Sequence, residues 1–91
     1  MKMKIEETIR TIVKSKGTQY YLNGGCLQLA SDLNRMYNGT IIYLPAYFHF
    51  VFCFEKKLYD ATGNVSRKYA NEKKIRLENV PKKLLSGFRL A

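Results

Sequence analysis

The sequence predicts an α+β domain in which helices pack on a small antiparallel sheet, and three observations predict it. Apolar residues recur at helical spacing in two segments before residue 40, β-branched and aromatic residues dominate the stretch from Thr40 to Phe54, and the strand candidates there follow one another through short turns. The chain has 91 residues, enough for one modest core and too few for a second. Residues 1–91 are therefore read as a single domain.

In order, Ile5, Ile9, Ile12 and Val13 lie on one stripe, so residues 3–16 read as an amphipathic helix that ends near Gly17. Residues 18–25 read as a loop, because Asn23-Gly24-Gly25 permits backbone angles that other residues resist. Cys26 opens a second helix whose stripe is Cys26, Leu29, Ala30, Leu33 and Tyr37, with Asn38-Gly39 as its stop. Thr40–Leu44 is a β-branched run closed by Pro45. Tyr47–Phe54 is the strongest strand candidate: Phe48, Phe50, Phe52 and Phe54 fall on one face, Tyr47, His49, Val51 and Cys53 on the other. A turn at Glu55-Lys56-Lys57 leads to a strand over 58–61, ended by Thr62-Gly63-Asn64. Beyond it the reading is a short basic helix or loop over 66–71, a fourth strand over 74–80, and a last short helix beginning at Pro81 with Leu84, Leu85 and Phe88 inward.

Hydrophobic residues make up 46% of the chain, which excludes the disordered class. No stretch approaches the roughly 20 apolar residues of a membrane span, and the N-terminus turns acidic at Glu6-Glu7 where a secretory signal would run apolar. A cytoplasmic protein with no membrane association is the expectation. Two cysteines in that setting argue for reduced thiols rather than a disulfide framework. The net charge of +9 is uneven: residues 1–55 carry six Lys/Arg against four acids, and residues 56–91 carry ten against three. Such an excess either solvates turns and helix faces or engages a polyanion such as nucleic acid, an acidic protein face or anionic lipid.

Cys26, His49 and Asp60 fall in that order along the chain, and a nucleophilic thiol needs a base within reach and a third group to orient the base. A helix N-terminus suits the sulfur, since its partial positive charge and unpaired amides favour a thiolate and a developing oxyanion. Hairpin geometry tests the other two. If the loop is Glu55-Lys56, Phe54 faces Lys57, Val51 faces Asp60, and Asp60 becomes the diagonal neighbour of His49 on one face. A loop longer by one residue flips Asp60 onto the phenylalanine face. Cys53 shares the histidine's face but lies four residues along the strand, roughly 13 Å away, too far to serve the same base. It reads as a packing residue.

Gly24-Gly25-Cys26 at the head of a helix, His49 on the next strand and Leu58-Tyr59-Asp60-Ala61-Thr62-Gly63 on the following one resemble the papain-like thiol hydrolase superfamily, especially its compact transglutaminase-like and NlpC-type peptidase branches. The resemblance covers about residues 19–63, leaving 64–91 as a basic C-terminal part. It implies a papain-like minimal core, Cys26 as nucleophile, His49 as base, Asp60 as orienter and no cofactor. It also implies Gln19 as the oxyanion donor. Papain-type enzymes place that glutamine six residues before the cysteine; the interval here is seven, which makes Asn23 a rival donor. Cysteine and histidine are 23 residues apart, shorter than in most relatives, and Leu27 stands where papain has an aromatic residue.

One histidine and two cysteines are too few for a structural zinc site, and Asn23-Gly24-Gly25 lacks the Gly-Lys-Ser/Thr of a phosphate loop. Two functions remain. One is a minimal cysteine hydrolase or acyltransferase acting on a peptide, amide or thioester through Cys26, His49 and Asp60. The other is a non-catalytic basic binding protein that keeps the fold, such as a small phage-type inhibitor of the anti-CRISPR kind. In that reading Lys73, Lys74, Arg76, Lys82 and Lys83 engage nucleic acid or an acidic protein.

Overall fold

Two amphipathic stripes, separated by a glycine turn and followed by a run of strand formers, build one layer of helices against one sheet. The computed structural model of the chain describes residues 4–88. Helix α1 spans Ile5–Lys16 and buries Ile5, Thr8, Ile9 and Val13; residue 3, where the sequence starts this helix, lies outside the described residues. Gly17 ends it at a φ of 86°, an angle only glycine adopts without strain. The chain then restarts as a short helix, α2 (Thr18–Leu22), where the sequence suggested a loop. Five residues carry too little periodicity to announce a helix, and this one is held by burial of Tyr21. Helix α3 spans Cys26–Tyr37 and closes on Asn38, whose left-handed φ of 55° and N–H bond to the Asn34 carbonyl form its cap. The Tyr37 hydroxyl shares a 2.6 Å hydrogen bond with Thr8 Oγ1, tying α3 to α1.

Strand β1 is Thr40–Leu44, as its β-branched run requires. The next strand, β2, is His49–Phe54, two residues shorter than the alternation suggested. Pro45–Tyr47 form a 3-10 turn and Phe48 takes a left-handed conformation, so Tyr47 and Phe48 leave the sheet and Phe48 stands 70% exposed. Proline fixes the turn, and that local geometry overrides the strand propensity of the aromatic pair. Strand β3 is Lys57–Asp60. Its pairing with β2 sets Phe52 opposite Tyr59, Cys53 opposite Leu58 and Phe54 opposite Lys57, so the hairpin loop is Glu55-Lys56. Gly63–Asn64 form a short strand β4 on β3, and Ile75–Arg76 form β5 on the other side of β1. The sheet is antiparallel with order β4-β3-β2-β1-β5.

The C-terminal part is less regular than its sequence suggested. Residues 66–71 are turns, the loop rather than the helix of the two alternatives the sequence left open, and the strand expected over 74–80 is only the two residues of β5 before a 3-10 turn at Leu77–Asn79. Helix α4 is Lys82–Leu85, with Pro81 as its cap. Leu85 and Phe88 pack on the core, whereas Leu84 points outward at 39% exposure.

The two faces of the sheet bury different sets. Ile41, Tyr43, Phe50, Phe52 and Tyr59 meet the apolar stripes of α1, α2 and α3. Ile42, Leu44, Val51 and Leu58 are covered on the opposite face by Val65 and Tyr69 of the turn segment, with Cys53 half-buried at the margin. Among the described residues no helix is long and apolar enough to cross a membrane.

Candidate active site

Gly25 fixes where α3 begins. A side chain there would put Cβ 2.6 Å from the Tyr20 carbonyl oxygen and 2.9 Å from its ring, so only glycine lets α2 and α3 approach this closely. The Gly25 N–H donates to that carbonyl at 3.1 Å, and the Tyr20 hydroxyl donates to Gln28 Oε1 at 2.8 Å. Cys26 is thereby the first residue of α3, 3% exposed and turned toward the sheet. The backbone N–H of Phe50 donates to its sulfur at 3.4 Å.

His49 reaches the same place from β2. The left-handed Phe48, with a φ of 48°, turns the chain from the 3-10 turn into the strand immediately before the histidine. A bulky residue at that angle is a backbone outlier. His49 Nε2 donates to Asp60 Oδ2 at 2.9 Å, and both side chains are buried. The second carboxylate oxygen, Oδ1, accepts from the Thr62 N–H at 2.8 Å and from the Thr62 hydroxyl at 2.6 Å. The observed hairpin register places Asp60 as the two-residue loop demands.

These contacts decide the protonation states. Burial disfavours a charged imidazole, yet the hydrogen bonds to Asp60 and to the Cys26 side chain outweigh it and raise His49 to about 9. Burial likewise works against ionised Asp60, but the bonds from His49 and Thr62 hold its carboxyl below the usual carboxylate range. With Nε2 taken by Asp60, Nδ1 is the ring nitrogen left for the thiol. Imidazole and carboxylate are directly bonded, and the Cys26 side chain lies close enough to contribute to the raised pKa of the ring.

The remaining sequence candidates lie on exposed residues. Asn23 Nδ2 donates to Gln19 Oε1 at 3.1 Å, so the two rival oxyanion donors are bonded to each other, both on exposed residues. Lys73, Lys74, Arg76, Lys82 and Lys83 are all exposed, spread over the turn segment, β5 and α4. The Lys74 ammonium is partly committed to its own backbone, donating to the carbonyls of Ala70 and Glu72 at 3.1 Å each. Among the described residues no group of three or more His, Cys, Asp and Glu side chains is placed to hold a metal ion.

Three contributors escaped the sequence reading. Thr62 anchors the carboxylate, and its signal was the Asp-Ala-Thr spacing, which suits a side chain bonding the backbone two residues on. Phe50 supplies a main-chain donor, which no side-chain pattern reveals. Tyr69 packs its ring 6.0 Å from the imidazole and 5.1 Å from the Tyr47 ring, and the Tyr47 hydroxyl donates to Glu72 at 3.1 Å. Comparison with family models, with curated proteins and with solved structures returns no match for this chain.

Proposed function

We propose that the protein is a minimal cysteine hydrolase or acyltransferase of the papain-like, cysteine-peptidase type, acting on a peptide, amide or thioester. The observation that carries this reading is the buried His49, bonded to Asp60 at 2.9 Å and raised in pKa by that carboxylate and by the neighbouring Cys26 side chain. An imidazole that holds a proton beside a sulfur favours the thiolate, and a helix N-terminus favours it further. Cys26 attacks the carbonyl carbon of the substrate, His49 gives its proton to the departing amine or thiol, and an acyl-enzyme forms on sulfur. Water or an acceptor nucleophile, deprotonated by His49, then releases the acyl group. Asp60, itself fixed by Thr62, holds the ring in the orientation and tautomer this requires.

The test is the rate of Cys26 alkylation by iodoacetamide at neutral pH, resolved from Cys53 by peptide mass. Cys26 is expected to react faster than free cysteine, and His49→Ala is expected to abolish the advantage. Alkylation with free-cysteine kinetics overturns the reading.

The exposed cations support a second reading, a non-catalytic basic protein that binds nucleic acid or an acidic partner in the manner of a small phage-type, anti-CRISPR-like inhibitor. Its affinity would fall steeply with salt. Charge reversal at Lys73, Arg76, Lys82 and Lys83 that abolishes function while Cys26→Ala preserves it selects this reading over the first.

A further inference from the structure

A cleft of about 450 Å³ opens between the head of α1, the end of α3 and the β2–β3 hairpin. Phe54 on its wall lies five residues along β2 from His49, roughly 17 Å at strand rise, so the cleft is separate from the candidate active site. Three rings, those of Tyr37, Phe54 and Tyr59, make up much of its lining. The Tyr37 and Phe54 centroids stand 5.3 Å apart with the rings inclined at 59°, and Phe52 stacks on Phe54 at 6.1 Å. The 2.6 Å hydrogen bond shared with Thr8 fixes the Tyr37 ring. Two carboxylates, Glu6 and Glu55, line the same cleft from exposed positions. The ion pairs among the described residues are Arg35–Asp32 and His49–Asp60, so neither of these carboxylates is neutralised by a cation. In a chain with 16 Lys/Arg against 7 Asp/Glu, that is a local reversal of sign. Lys4 is the one cation of the lining, which leaves an excess of negative charge. Burial, and after it the charges of Glu6 and Glu55, raise the Tyr59 pKa, so this ring stays neutral beside the carboxylates.

We propose that this cleft binds an organic cation, an alkylated ammonium of about the size of choline, between the rings of Tyr37, Phe54 and Tyr59 and the carboxylates of Glu6 and Glu55. Aromatic faces attract a cation through their quadrupole, and nearby carboxylates add the attraction of unlike charges. An alkylated ammonium suits these walls because it is weakly hydrated, turns methyl groups toward the rings and asks for no hydrogen bond. A hard metal ion such as calcium takes about six or more oxygen ligands, more than two carboxylates supply. The strongly positive remainder of the surface repels a cation, so the cleft is where one is held. The site uses none of Cys26, His49 and Asp60 and holds whether or not the hydrolase reading does.

Choline and its neutral isostere, in which a tert-butyl group replaces the trimethylammonium, share a shape and differ in charge. Amide NMR titrations of the full chain at physiological salt read both affinities. Choline is expected to shift the amides of Phe54, Glu55 and Tyr59 and to bind about 5- to 30-fold more tightly than the isostere, the combined worth of cation–π and exposed carboxylate attraction. Glu6→Gln combined with Glu55→Gln keeps the shape of two exposed side chains. It is expected to weaken choline about 3- to 10-fold and to leave the isostere within about twofold of the parent. Phe54→Leu, which keeps an apolar wall and removes the quadrupole, is expected to narrow the preference for choline as well. Equal affinity of the parent for the two probes overturns the proposal, because the cleft is then merely apolar. So does an absence of choline shifts at these amides, and so does a glutamine pair that binds choline as the parent does.

Discussion

The two faces of the sheet are built unequally, and the candidate site uses both. On one face three helices seal Tyr43, Phe50, Phe52 and Tyr59 in a large apolar set that includes Cys26. On the other, a run of turns lays Val65 and Tyr69 over Ile42, Leu44, Val51 and Leu58. Strand alternation assigns His49 and Asp60 to this second, thinner face, because their neighbours Phe50 and Tyr59 point the other way. The sulfur therefore comes from the robust side and the imidazole and carboxylate from the slight one, meeting where β2 begins. Regions with few buried apolar contacts open at lower free-energy cost than the core, so orienting the base is expected to fail before the fold does.

The largest test of that asymmetry is a matched pair of core truncations. Phe52 is fully buried on the helix side, and Phe52→Ala is expected to cost about 3–5 kcal/mol, a sizeable part of the stability of a domain this small. Val65→Ala on the other face is expected to cost roughly 1–2 kcal/mol while slowing Cys26 alkylation through its effect on Tyr69 and the imidazole. Urea unfolding of both variants measures the difference. Equal losses would mean that the turn segment belongs to the main core and that the two faces are not distinct.

A pH titration of stability sharpens the same contrast on the polar residues. His49 has a folded pKa of about 9 against 6.5 for the free side chain. Its contribution is fully present below 6.5 and is lost as pH rises through about 9, because the folded state binds the proton that the unfolded state has released. The shift corresponds to on the order of 3 kcal/mol. Asp60 runs the opposite way: its pKa is lowered in the fold, so its contribution is present above the ordinary aspartate value of 3.8 and lost as pH falls through the folded value. Thermal melts across this range are expected to show the alkaline loss in the parent protein and a flatter profile in His49→Gln. An unchanged profile would remove the histidine–carboxylate pair from the energetics of the thin face.

How much of this was legible beforehand follows from how local each signal is. The stripes of α1 and α3, the run of β1 and the register of the β2–β3 hairpin are properties of neighbouring residues, and the sequence carries them openly. The register then carried Asp60 to the His49 side. Phe48 was misplaced because alternation counts residue types, whereas the turn at Pro45 decides where the strand starts. The short β5 was overestimated for a related reason: β1 accepts only two residues of it before the 3-10 turn. The Phe50 amide and Tyr69 were missed as site residues because their places depend on how separate elements meet, which no window of sequence records, whereas Thr62 stood two residues from Asp60 and was read only as the end of the strand.

The smallest effect falls on the hairpin that joins the two halves of the polar pair. Glu55 and Lys56 both adopt positive φ, at 50° and 65°, as a two-residue loop of the I′ kind requires, although that geometry favours Asn-Gly. Glu55→Asn with Lys56→Gly is expected to raise stability by about 0.5–1 kcal/mol, since the replacements adopt these angles with less strain. The His49 titration is expected to stay in place, because the register and the Asp60 contact are kept. One residue inserted at the same turn is the opposing control. It shifts β3 by one position, carries Asp60 to the helix-covered face and leaves Tyr59 on the side of the imidazole. A protein that gained stability from the first change and kept its alkaline titration after the second would show that His49 draws its proton affinity from the sulfur alone, and the thin face would then contribute packing but no chemistry.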